Sequence, residues 1–336
     1  MANDSGDYLL SCDWGTSSFR LRLFSRSRDA VLAEVTASEG IASVYNQWKK
    51  DPDCPRLPFF RNILKKYLNE LSERVVVSKK GISLAGIPLV ISGMASSSLG
   101  IEELPYATLP FSLEGNGAVT RKFEASADFP HEILLISGLR SEQDVMRGEE
   151  TQLLGLAAQG MLPADNAICL FPGTHSKHVR VRDGILVKFE TYMTGEFFQL
   201  LTRQSILSES VEAPEPLIES QGSEISGKTA EAFRQGLNYS ADTHLLHSLF
   251  SVRTGYLFGK QDKASNFYFL SGLLIGAELN NLKADKTTPV LLCGGSKMSP
   301  FYKLALHQPR MPEKIVIVPP EAADLSALHG QLVIAT

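Results

Sequence analysis

"DWGTSSFRLRLF", residues 13–24, sets an acid and a Gly-Thr-Ser-Ser turn between two apolar, strand-like runs. "YLLSCD" at 8–13 leads into the turn and "SFRLRLF" at 18–24 leads out of it, so the small residues form the tip of a hairpin. In the outgoing strand Phe19, Leu21 and Leu23 alternate with Arg20 and Arg22, which puts the arginines together on the other face. About half a chain later the pattern returns. "GTHSKHVRVR" at 173–182 repeats Gly-Thr-x-Ser and again runs into alternating basic and apolar residues. One Gly-Thr turn is ordinary hairpin chemistry. Two with matching flanks predict two similar domains, each presenting Gly, Thr and Ser at a tip. Glycine lets backbone approach a ligand closely, and consecutive N–H groups and hydroxyls donate to anionic oxygens, so a pair of such tips suits a polyphosphate. Asp13, beside the first tip, is the expected Mg2+ ligand, directly or through water. The other common nucleotide motifs are missing: no GxGxxG follows the first strand and no GxxxxGK[ST] occurs.

Outward from the tips, "VLAEVTA" at 31–37 reads as a third strand and "RNILKKYLNELSER" at 61–74 as an amphipathic helix. "IPLVISGM" at 87–94 and "HEILLISGL" at 131–139 are buried strands that end in Gly/Ser turns. "GEETQLLGLAAQG" at 148–160 is a helix stopped by Gly160, and "AICLF" at 167–171 opens a new sheet. Asp183-Gly184 makes a two-residue hairpin, and Thr194 in "MTGE" can cap a helix that begins a mainly helical stretch to residue 282. Residues 208–227 read as a polar surface loop. Strand, Gly-Gly turn and helix return in 287–306, and a last strand and helix close the chain.

Composition bounds the partners. The chain has 336 residues, 43% hydrophobic and 21% charged, enough for two globular domains. A formal charge of −4 argues against nucleic acid or an anionic membrane as a partner and leaves room for a homo-oligomer. Cys12, Cys54, Cys169 and Cys293 are scattered without CxxC spacing and are expected to be thiols, most of them buried. No basic, apolar leader begins the sequence and no apolar run reaches bilayer length, so a cytosolic protein is expected.

The order of motifs resembles the actin/Hsp70/sugar-kinase superfamily, and within it the 2-dehydro-3-deoxygalactonokinase family, through "DWGTSSFR", "SGMASSSLG…LPY", "VMRGEETQLLG", "FPGTHSKHV", "MTGE" and "LSGLLIGAEL". The resemblance implies an α/β fold of two ribonuclease H-like, actin-like ATPase domains with mixed sheets, and ATP and a sugar acid in the cleft between them. The first domain is expected to span 1–145, with the C-terminal helix at 320–336 packing on it, and the second 146–319. The implied reaction moves the ATP γ-phosphate, with Mg2+, to the terminal hydroxyl of 2-dehydro-3-deoxy-D-galactonate. Asp13, Gly15, Thr16 and Ser17 match the first phosphate motif, and Gly173, Thr174, His175 and Lys177 the second. Gly294 and Gly295 stand at the adenine-side loop. The chain departs from its relatives at His178, where Trp is usual, and at Ile101, where a polar residue then Gly-Trp is common; both are expected near the sugar.

A hydroxyl attacking phosphorus needs a nearby base and cations on the transferred group. Glu149 and Glu150, in the first turn of the 148–160 helix, are the candidates, with Glu149 preferred because related kinases place an acid after a Gly here. Acids at that position also simply complement the helix dipole. Arg20 can reach a carboxylate or a γ-phosphate with a bidentate fork, and Ser96 and Ser97 can donate to sugar hydroxyls. Gly272 and Gly276 lie one turn apart, and the Gly155 helix is their expected close partner. A kinase of another sugar acid or polyol, or an ATP-driven switch without a phosphorylated small molecule, stays open at this level.

Overall fold

The computed structural model describes residues 6–51, 53–77, 81–163, 165–213, 227–284, 287–294, 298–309 and 311–336. They form two compact units, Met1–Met161 with Leu325–Thr336, and Leu162–Asp324.

In the first unit, β1 (Tyr8–Trp14), β2 (Phe19–Ser25) and β3 (Ala30–Ala37) make an antiparallel meander, followed by α1 (Ile41–Trp48) and α2 (Arg56–Val77). β4 (Leu89–Gly93) then pairs parallel to β1. The short strands β5 (Ala107–Thr108) and β6 (Phe111–Ser112) precede β7 (Thr120–Phe123) and β8 (Ile133–Ile136). After them come β9 (Leu139–Arg140), β10 (Val145–Met146) and α3 (Glu149–Ala158). The main sheet runs β3-β2-β1-β4-β8-β7, and β10-β9-β5 form a small second sheet. β1 is apolar on both sides because both faces of the sheet are covered. On one face Trp14, Phe19, Phe60, Leu64 and Tyr67 pack together as α2 lies across the meander, with Trp14 edge-on to Phe19 and Phe60.

The second unit repeats this design. β11 (Asn166–Phe171), β12 (Ser176–Arg182) and β13 (Ile185–Tyr192) form a meander, followed by helices α4 (Thr194–Gln204), α5 (Gly227–Asp242), α6 (Leu245–Leu257) and α7 (Lys263–Leu279). β14 (Val290–Leu292), α8 (Ser299–Leu306), β15 (Ile315–Ile317) and α9 (Pro320–Ala335) complete the chain. The order β13-β12-β11-β14-β15, antiparallel then parallel, matches β3-β2-β1-β4-β8 strand for strand. The duplication expected from the two tips is therefore a duplication of whole mixed sheets, as an α/β fold of two similar domains requires. The β12–β13 turn uses Asp183 at φ 48° and Gly184 at φ 71°, the left-handed pair that a two-residue hairpin needs.

Four details differ from the sequence reading. The units divide after Met161, whereas the reading placed the division at 145, because α3 packs on the C-terminal end of α9: a Cβ on Gly155 would sit 1.8 Å from the Ser326 carbonyl oxygen, and one on Gly330 1.7 Å from that of Thr151. Gly155 is thus used against α9, while Gly272 and Gly276 press on Phe233 and Ser240 of α5, so each of these glycines serves a close approach within its own unit. Ile101 is 3% exposed and belongs to the core of the first unit, its N–H bonded to Ala95 O at 2.7 Å, so its side chain packs in the interior. A short 3-10 turn over Ile206–Ser210 takes in the first residues of the expected 208–227 loop, and 214–226 lie outside the described residues. The four cysteines are free thiols, Cys12, Cys169 and Cys293 buried and Cys54 half-buried. Among the described residues no helix is long and apolar enough to cross a membrane.

Candidate functional site

The first tip is pinned from behind. Gly15 N–H closes the hairpin on Ser18 O at 2.9 Å, while the first N–H groups of α1 donate to the tip's carbonyls, Ile41 to Gly15 at 3.0 Å and Ala42 to Thr16 at 3.1 Å. Gly40 permits this approach, since a Cβ there would lie 2.3 Å from Thr16 O. With its carbonyls held inward, the tip leaves Thr16, Ser17 and Ser18 exposed, and among the described residues the Thr16 and Ser17 N–H groups meet no protein acceptor. Donors fixed in this way suit an anion.

Asp13 stands beside the tip, in register with Arg20 on β2 and Ser92 on β4. Arg20 and the buried Arg22 both turn toward Glu34 on β3, Arg20 Nε at 3.8 Å. Past Ser92, Gly93 adopts φ 89° and crosses so near β1 that a Cβ would lie 2.7 Å from Trp14 O and 3.5 Å from Asp13 Oδ1. Gly148, at φ 113°, backs onto Gly93, its own Cβ position 3.4 Å from Gly93 Cα. Two left-handed glycines therefore bring the start of α3 against the strand end that carries Asp13.

The two acids on α3 part company here. Glu150 is 4% exposed and curls back so that Gly148 N–H donates to both its oxygens, at 2.9 and 2.8 Å, and Thr151 Oγ1 donates to one at 3.0 Å. Burial, with Glu149 adding to it, pushes its carboxyl up to about 7. Glu149 is half-buried, and its Oε2 accepts the Arg147 N–H at 3.1 Å. Ser96 is fully buried, its hydroxyl oxygen accepting from Arg147 Nη1 at 2.6 Å and its O–H donating to Gly93 O at 3.4 Å, and Ser97 closes its own turn on Met94 O at 2.7 Å.

A raised acid pKa sets a sign for stability. Between pH 4.5 and about 7 the folded protein holds the Glu150 proton that the unfolded chain has released, so stability falls as pH rises through that window and the loss is complete above it. Glu150→Gln removes the titration. Its melting temperature relative to wild type is expected to climb from pH 4.5 to 7 and then level, by an amount equivalent to roughly 2–3 kcal/mol. Parallel melting curves across that range would show that Glu150 titrates normally.

The second tip is built likewise in its own unit. Glu196 N–H, at the start of α4, donates to Thr174 O at 3.0 Å, and Gly195 is the close-approach residue, its Cβ position 2.5 Å from Gly173 O. Gly173, Thr174 and His175 are exposed, and the Thr174 and His175 N–H groups have no protein acceptor among the described residues. The His175 ring pairs with Glu196, whereas Lys177 is 5% exposed within β12. Gly294, at the end of β14, lies against Pro172, which precedes the tip; Gly295 lies outside the described residues.

Beneath this tip is a buried polar cluster that the sequence reading missed. Glu278 on α7, 3% exposed, accepts from His178 Nε2 at 2.9 Å, from Tyr302 Oη at 2.6 Å and from Thr194 Oγ1. Tyr302 Oη lies 3.1 Å from Ser176 Oγ, which in turn accepts the Gly173 N–H at 3.4 Å. Burial and the Glu278 carboxylate raise the Tyr302 phenol well above its ordinary range. Thr194 is therefore a partner of Glu278; the residue preceding α4 is Met193, which offers no cap. His178 sits within this cluster, its ring 4.5 Å from Tyr192.

The chain as a whole is similar to known proteins. A family model described as 2-keto-3-deoxy-galactonokinase matches residues 13–326. The chain belongs to that family. It is 34% identical over 306 residues to a Rhizobium meliloti (strain 1021) protein named "Probable 2-dehydro-3-deoxygalactonokinase", covering 89% of each chain. It is 31% identical over 227 residues to the 2-dehydro-3-deoxygalactonokinase of Escherichia coli (strain K12), covering 66% of this chain and 70% of that one. A crystal structure of a Sinorhizobium meliloti protein assigned the same activity superposes with a TM-score of 0.76 at 31% identity over 98% of both chains. As a 2-keto-3-deoxy-galactonokinase family member the chain is a kinase acting on a sugar acid, which fits a small-molecule partner and a nucleotide held with a divalent metal.

Proposed function

We propose that the protein transfers the γ-phosphoryl group of ATP to the terminal C6 hydroxyl of 2-dehydro-3-deoxy-D-galactonate, giving the 6-phosphate and ADP. The observation that carries this reading is the duplicated tip. Each unit offers two N–H groups without protein acceptors among the described residues, beside exposed hydroxyls, on a turn whose carbonyls are pinned by a helix start. Phosphoryl transfer asks for this kind of fixed donor set, since positioning and charge stabilisation supply most of the rate. In the reading, Gly15, Thr16 and Ser17 of the first unit and Gly173, Thr174 and His175 of the second are phosphate-binding residues, and Gly294 belongs to the adenine-side loop.

Among the described residues no cluster of three or more His, Cys, Asp or Glu is able to hold a metal by itself. That suits Mg2+, which keeps its waters and rests on one or two carboxylates together with the nucleotide's phosphates. Asp13, at the end of β1 with glycine backbone before it, is the residue that would hold it. Such an ion would screen the phosphate charge. Glu149 takes the proton from the attacking hydroxyl. Glu150, buried and drawing on three hydrogen bonds, fixes the start of α3 from which Glu149 projects.

The test is ADP release from Mg-ATP, measured against a panel of 2-keto-3-deoxy sugar acids and unrelated polyols, with the product's phosphate position read by NMR. Release is expected to depend on the C6-hydroxyl acid. Slow hydrolysis indifferent to every acid would sink the reading.

A further inference from the structure

Arg147 is the one residue of "VMRGEETQLLG" whose charge the reading above leaves unused. It lies between β10 and α3, and the small sheet β10-β9-β5 sets it opposite Tyr106, which immediately precedes β5. Its guanidinium stands 4.2 Å from the Tyr106 ring centroid. Nη1 donates to Ser96 O and Ser96 Oγ, both at 2.6 Å, and reaches Ser137 Oγ at 3.5 Å. All three acceptors are neutral. Nε is shielded from solvent without an acceptor, and Nη2 makes no protein hydrogen bond among the described residues yet is not enclosed. No carboxylate among the described residues pairs with this cation.

A half-buried guanidinium without a counter-anion is an expensive arrangement unless a ligand supplies the anion. Stacking on Tyr106 and the clamp from the Ser96 turn fix the plane of the fork in advance, so little side-chain freedom is lost when a planar anion docks. The backbone of this same residue also donates to Glu149. We propose that Arg147 binds the carboxylate of the sugar acid through its free edge. The fully buried Ser96 and the half-buried Tyr106 act as positioning residues for it. The proposal rests on the sugar-acid kinase reading and assigns the acid end of that substrate to the chain segment that carries the base.

The test compares the sugar acid with its uncharged carboxamide as acceptors, in wild type and in Arg147→Met and Arg147→Lys. Arg147→Met is expected to lower kcat/KM for the acid about 100-fold, mostly through KM, and to change the carboxamide value less than about 3-fold. Arg147→Lys, which keeps charge but loses the fork, should restore part of the acid preference. It also serves where the Met variant fails to fold. Equal losses for acid and amide would overturn the proposal and make Arg147 a brace for the Ser96 turn; no loss for either would overturn it as well. A wild type that turns over neither compound removes the kinase reading itself, a result distinct from both.

Discussion

Replacing Glu149 with Gln is expected to lower kcat for sugar-acid phosphorylation by about 10²–10⁴-fold with little change in KM for either substrate. Glu150→Gln should retain activity within about tenfold of wild type. The two acids are adjacent in sequence, and helix-dipole arguments treat them alike. Their surroundings do not. Glu150 is enclosed, has both oxygens occupied by Gly148 N–H and holds a proton to about pH 7, so it is poorly placed to receive one from a substrate. Glu149 keeps partial exposure and stands directly after the left-handed Gly148 that brings α3 up to Gly93. Single-turnover measurements separate the chemical step from product release, and isotope-labelled ATP follows the transferred group. Activity surviving Glu149→Gln nearly intact would remove it as the base, whatever Glu150→Gln then did.

The parts of this protein that are legible in its sequence are those decided locally. Gly-Thr-x-Ser between alternating strands announces a tip wherever it occurs, and its repetition announces the second sheet, because each hairpin is specified within about a dozen residues. Gly160 at φ 69° after α3 and the Asp183-Gly184 turn are of the same kind. What escapes are choices made between segments far apart. Arg147 and Ser96 are 51 residues distant, and His178 and Glu278 are 100. The glycine pattern of α3 fits either α7 or α9 as a neighbour, since small-residue spacing says that a helix can be approached closely but not by which helix. Gly40 and Gly195, which back the two tips, carry a signal that was available in principle. Gly40 stands just before α1 and Gly195 in the first turn of α4, each at the start of a helix that follows a meander, and the parallel becomes visible once the two halves are aligned beyond the tips themselves.

Glu278→Leu is expected to destabilise the second unit by roughly 3–5 kcal/mol, lowering its melting temperature by on the order of 10 °C. The carboxylate is the common acceptor for His178, Thr194 and Tyr302, and its side chain is 1% exposed. An apolar substitute fills much of the volume yet takes from three donors the acceptor they share, leaving the buried His178 Nε2 orphaned, and the cost arises from that desolvation more than from the loss of the bonds themselves. Glu278→Gln, which keeps one carbonyl oxygen, should fall between Leu and wild type. The cluster also bears on the tip. Tyr302 meets Ser176, and Ser176 accepts the Gly173 N–H, so loosening Tyr302 frees the backbone that presents Thr174. KM for ATP should therefore rise in Glu278→Gln by a larger factor than KM for the sugar acid, and hydrogen exchange should quicken at Gly173 before it does in β11. Equal shifts in both KM values, with exchange at Gly173 unchanged, would mean that the cluster stabilises the core without governing the tip.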